Sequence, residues 1–170
     1  MVAAVAAAAV AATSECEIMN IVELLDPAAI EADLKSSTKD ELLEEMTDVL
    51  LRAMPELNRD EVVAVLRERE QLGSTGIGEG VAIPHGKLKS LDRLVLAFGR
   101  SRGGVDFDSM DGKPAHLFFL LLASEDSVSV HLKTLARISK LLKDAGVREM
   151  LLEADSAAEI YQIISEQEAA

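Results

Sequence analysis

The residues able to do chemistry gather in one stretch of this chain. From Gly73 to Gly86 the sequence reads GSTGIGEGVAIPHG, and His85 stands near its end. Pro84 before it fixes φ, and Gly86 after it leaves the ring uncovered. A histidine so placed is presented rather than packed. Its imidazole, with an ordinary pKa of about 6.5, is largely neutral near pH 7 and can act as a nucleophile. The stretch has neither a Walker A lysine nor GxGxxG spacing, which argues against a nucleotide loop. His85 and His131 could begin a metal site, but no third ligand has convincing spacing. On these residues alone, a functional histidine and a satisfied loop histidine stay equally open.

The surrounding elements must position that histidine. Thr38-Lys39-Asp40-Glu41 has the capping-box pattern. Leu42, Leu43, Met46, Val49, Leu50 and Ala53 then mark one helical face, which ends before Pro55. Asn58 offers a second start, and Val62, Val63, Val65 and Leu66 carry that helix toward Glu70. Val81-Ala82-Ile83 predicts a short strand stopped by Pro84. The runs 93–99 and 116–123 predict strands covered on both faces, because both are continuously apolar. Gly103-Gly104 and Asp111-Gly112 predict the loop or hairpin turns between them. Helical spacing returns from Val128 to about Lys143, a short helix is expected over 147–152, and Ser156 to Glu159 opens a last helix. Helices before, between and after strands predict an α/β layered domain.

Composition narrows the function. The chain has 170 residues, enough for one domain with a sizeable core. It carries 17 basic and 30 acidic side chains, a net charge of −13, which argues against binding a phosphate backbone. Aromatic residues are only 3% with no Trp, so base stacking has little to work with. A basic protein partner would be attracted. Cys16 is the sole cysteine; no intramolecular disulfide can form, and a reducing compartment is the simplest fit. Residues 2–12 are continuously apolar but too short to span a bilayer, which takes about 20 residues. No Lys or Arg precedes them as in a signal peptide. The expectation is an alanine-rich, dispensable arm over 1–18, with the domain proper over 19–170 and Met19 as an alternative start.

The run from Arg69 to Leu88, RExxGSTGIGxGxAIPHGKL, is long and specific. It resembles the enzyme IIA domains of the bacterial phosphoenolpyruvate-dependent phosphotransferase system, of the fructose/mannitol type. The GST start and HGKL end look most like the nitrogen-regulatory members, IIA-Ntr. The likeness extends from about Met19 to Glu168.

That resemblance implies a mixed, mostly parallel sheet flanked by helices on both sides. It implies a cytoplasmic phosphocarrier without cofactor or metal, in which His85 takes a phosphoryl group from an HPr-like carrier. It points to tele phosphorylation, although the residues themselves leave the ring nitrogen open. It further implies that His131 is a second active-site histidine, Arg69 a phosphate-facing arginine and Glu79 an acidic neighbour. Ser74 and Thr75 are candidates for touching phosphate, although turn residues are their usual role. Without the resemblance, Arg69 reads as part of a solvated helix end, and His131 and His116 as unremarkable. No IIB or membrane IIC segment follows Ala170 in this sequence, as expected of a IIA that signals to target proteins through its phosphorylation state. Transfer to a separate IIB for sugar uptake is the alternative, and a non-catalytic binding module the third reading.

Overall fold

The computed structural model describes residues 20–170. The expected arm over 1–18 lies outside the described residues. A single helical turn, α1 (Ile21–Leu24), leads directly into β1 (Leu25–Glu31). Two helices follow, α2 (Lys39–Leu51) and α3 (Arg59–Gln71). Three short strands come next: β2 (Gly76–Gly78), β3 (Val81–Ala82) and β4 (His85–Leu88). Two long strands, β5 (Val95–Val105) and β6 (Ala115–Ser124), form the centre. Helices α4 (Val128–Lys143), α5 (Ala145–Glu153) and α6 (Ala157–Ala169) complete the chain.

Caps set the helix starts. The Thr38 hydroxyl accepts from the Glu41 N–H at 3.3 Å, Asn58 accepts from Glu61 at 3.0 Å, and Ser156 accepts from Glu159 at 3.1 Å. Each supplies an acceptor that the first helical turn lacks.

The sheet runs β1-β5-β6-β3-β2, with β4 also paired to β6. Three of its five pairings are parallel: β1 with β5, and both β3 and β4 with β6. The β5–β6 and β2–β3 pairs are antiparallel. The strand period of two explains how both faces fill. Phe118, Leu120 and Leu122 of β6 face the α2–α3 side. Leu117, Phe119, Leu121 and Ala123 face the side covered by α4, α5 and α6. Helices therefore cover both sides, as expected.

Three local readings change. β1 has no strand signature in the sequence, because Asp26-Pro27 interrupts it; as an edge strand it tolerates Pro27. His85 follows β3 not as a loop residue but as the first residue of β4, paired opposite Leu121. Gly103-Gly104 lies inside β5 at a shift of register, not at a turn. Gly104 has φ +85, and a Cβ there would stand 2.9 Å from the His116 ring, so the strand needs glycine where it bends.

A buried arginine also emerges. Arg100 of β5 is fully buried and donates to the carbonyls of Ala32, Leu151 and Ala154. Its positive charge meets the negative end of α5, an arrangement that partly offsets the loss of water.

Candidate functional site

His85 is fixed from two directions. The β4–β6 pairing sets its backbone, and its Nδ1 lies 2.8 Å from the Ile83 carbonyl. A carbonyl oxygen can only accept, so Nδ1 carries the proton. The neutral ring therefore keeps its free electron pair on Nε2. Burial lowers the pKa of His85, the bond to Ile83 opposes that shift, and the nearby Arg69 charge lowers it again.

His131 comes from the first turns of α4. Its ring meets His85 edge to face, with centroids 5.3 Å apart and planes at 86°. The side chain is buried, and its Nδ1 has no hydrogen-bond partner. Burial, then the charges of His85 and Lys87, push its pKa down to about 4. At pH 7 both rings are neutral, and His131 can still offer one N–H.

Arg69 reaches the same place from the last turn of α3. Its Nη1 donates to the Gly73 carbonyl at 2.9 Å. Among the described residues no carboxylate pairs with it. Arg69, His85, Lys87 and His131 line one cleft of about 470 Å³. Gly86 explains how α3 comes so close: a Cβ there would collide with Val65 of that helix. Its role is close helix approach, in addition to leaving the ring uncovered. The rim is apolar, with Leu72, Val128 and Leu132 exposed by 83%, 48% and 62%.

The other sequence candidates sit elsewhere. Glu79 occupies the β2–β3 turn at φ 58, and its carboxylate lies 3.6 Å from Arg148. It does not line the cleft. The Ser74 hydroxyl donates to the Phe107 carbonyl at 2.6 Å. Thr75 is buried, with its hydroxyl on Glu70. Both hydroxyls are occupied in shaping the loop. Among the charged residues lining the cleft, Glu68 and Lys87 escaped the sequence reading, as did the rim residue Leu72. Lys87 lies within the recognised motif, and Leu72 carried no signal beyond an apolar residue past a helix end.

Two neutral histidines and an unpaired arginine around a cleft suit an anion that is received by a nitrogen. The family model described as "Phosphoenolpyruvate-dependent sugar phosphotransferase system, EIIA 2" matches residues 23–167. The chain belongs to this EIIA type 2 family. A nitrogen regulatory protein of Bradyrhizobium diazoefficiens is 42% identical over 86% of this chain and 95% of its own length. A fructose-specific EIIABC component of Bacillus subtilis is 43% identical over 87% of this chain. The chain spans only 23% of that larger relative. Among solved structures, the nitrogen regulatory protein IIA-Ntr of Neisseria meningitidis superimposes with a TM-score of 0.79 at 38% identity, covering 85% of this chain and 98% of that one. Among the described residues, no helix is long and apolar enough to cross a membrane, and no cluster of three or more metal-ligating side chains exists.

Proposed function

We propose that this EIIA domain is a cytoplasmic phosphocarrier whose acceptor is Nε2 of His85. The observation that carries the reading is the bond between Nδ1 and Ile83, which leaves Nε2 as the nucleophile. The donor is the phosphohistidine of an HPr-like carrier. The Nε2 electron pair forms the new P–N bond while the carrier's P–N bond breaks, and the carrier ring keeps that bonding pair. Such a transfer asks the protein mainly for alignment and charge stabilisation. Arg69 supplies a planar fork of donors to the phosphoryl oxygens. His131 supplies one N–H from a buried ring. The N-terminal N–H groups of α4 add further donors, because Ser127 does not cap them and its hydroxyl is taken by Ser124.

The apolar rim of Leu72, Val128 and Leu132 is the place for a carrier to dock. The output is regulatory: phosphate on His85 changes charge at that rim and so changes which target proteins bind. The likeness to a nitrogen regulatory protein along 95% of its length favours this output. The 43% identity to a fructose-specific component supports a second destination, a separate IIB.

Incubation with phosphoenolpyruvate, enzyme I and an HPr-type carrier should give an acid-labile phosphate on the protein. His85→Ala should give none. Absent labelling of wild type, or undiminished labelling of the variant, would sink the reading. Onward transfer to a purified IIB separates the two destinations.

A further inference from the structure

Glu70 is a buried carboxylate that the acceptor chemistry above leaves without a role. It stands in the last turn of α3, next to Arg69, with its side chain 5% exposed. Burying a carboxylate is costly unless partners replace its water. Glu70 has three such bonds. Oε1 accepts from Lys39 Nζ at 3.0 Å and from the Thr75 N–H at 3.1 Å, and Oε2 accepts from the Thr75 hydroxyl. Lys39 is itself held, 4.8 Å from the centre of the Phe107 ring.

A pair serving only to tie α2 to α3 would end at Lys39. Here two of the three bonds go to Thr75. The Thr75 carbonyl accepts from the Ile83 N–H at 3.0 Å, and the Ile83 carbonyl faces His85 Nδ1 at 2.8 Å. The Ile83 residue is thus held on its N–H side by Thr75, while its carbonyl holds His85. The next carbonyl, of Pro84, accepts from Leu121 at 3.0 Å and anchors the far side. Two residues, Thr75 and Ile83, lead from the carboxylate to the imidazole.

We propose that Glu70 is a positioning residue: through Thr75 and Ile83 it fixes the His85 tautomer that keeps Nε2 unprotonated. The consequence for transfer rests on the reading of His85 as acceptor. Without the Glu70–Thr75 clasp the Ile83 carbonyl loses its fixed aim. The ring can then carry its proton on Nε2, which removes the nucleophile. The Glu70 charge also acts directly on the His85 ring, in the sense opposite to Arg69.

Two readouts on ¹⁵N-labelled full-length protein test this. Long-range ¹H–¹⁵N spectra above pH 7.5 report which His85 nitrogen is protonated, and the initial labelling rate from phosphorylated HPr reports transfer. Wild type should be protonated mainly on Nδ1. Glu70→Ala and Thr75→Val should shift protonation toward Nε2 and slow labelling roughly tenfold to a hundredfold, as misaligned reacting groups do. Thr75→Ser, which keeps the hydroxyl, should restore both. Circular dichroism identifies folded variants; if Glu70→Ala does not fold, Thr75→Val carries the test. A folded Thr75→Val with the wild-type tautomer and rate would overturn the proposal. A tautomer shift with wild type that never labels would support the clasp and overturn the acceptor reading instead.

Discussion

His85 opens β4 and His116 is the second residue of β6, and each ring sets Nδ1 2.8 Å from a backbone carbonyl. Both rings are half-buried. The bonded side of the two rings is therefore the same, and so is the tautomer it selects. The other side differs. Nε2 of His85 belongs to a cleft that also contains Arg69 and His131. Nε2 of His116 abuts the backbone at Gly104, where an added Cβ would stand 3.1 Å from it. A carbonyl on Nδ1 makes a histidine nucleophilic in principle, and the surroundings of Nε2 decide whether anything can be received.

The sharpest way to break this comparison is to exchange the roles by mutation. His85→Ala should abolish phosphorylation, whereas His116→Gln should label at the wild-type rate. Labelling that survives at His116 would show that the open cleft is not what matters. Removing Arg69, one of the cleft's two cations, comes next. Arg69→Ala should slow labelling about tenfold to a hundredfold, the effect of losing a charge-assisted bond of about 1.5–3 kcal/mol to the phosphoryl group. Its melting temperature should stay near wild type, since among the described residues its only polar partner is the Gly73 carbonyl.

The closed site should show the reverse pattern. Gly104→Ala forces a side chain into φ +85 and against His116. It should cost about 1–2 kcal/mol, or roughly 4 °C in Tm, and leave the labelling rate of the folded protein unchanged. The last effect concerns pH and bears on stability alone. His131 titrates at about 4 in the fold against 6.5 ordinarily, so between those values the unfolded chain binds more protons. The stability involved is complete above about 6.5 and is lost as pH falls toward 4. His131→Gln should flatten the Tm profile in that window; a profile as steep as wild type would contradict a buried neutral ring.

Much of the scaffold was legible because its signals are local. Helix caps at Thr38, Asn58 and Ser156 depend on residues within one turn. The apolar run of β6 announces a strand buried on both sides. The signals failed where a distant neighbour decides. Leu25–Glu31 is a strand because β5 lies beside it, despite Pro27. Gly103-Gly104 looks like a turn until β6 is placed alongside and the pair becomes a bend within β5. Arg100 lies just past the apolar run 93–99 and carries no signal in the sequence, but its guanidinium is held by carbonyls at the far end of α5.

The candidate site divides in the same way. The motif from Arg69 to Leu88 marked His85 and Arg69 and carried the family likeness, since spacing along one segment is preserved in the chain itself. The sequence by itself also determined the acidic charge and, with Cys16 alone, that no intramolecular disulfide can form. It could not decide which marked residues share a cleft. That depended on Gly86 letting α3 close on β4, and on α4 bringing His131 to His85 from far along the chain. It could not separate Ser74 and Thr75, whose hydroxyls are already bonded, from residues free to meet a ligand. Nor could it place Glu79 at a turn beside Arg148. Hydrogen-bond partners and ring orientation come from packing between segments, so only the tertiary structure decided which nitrogen of His85 is free.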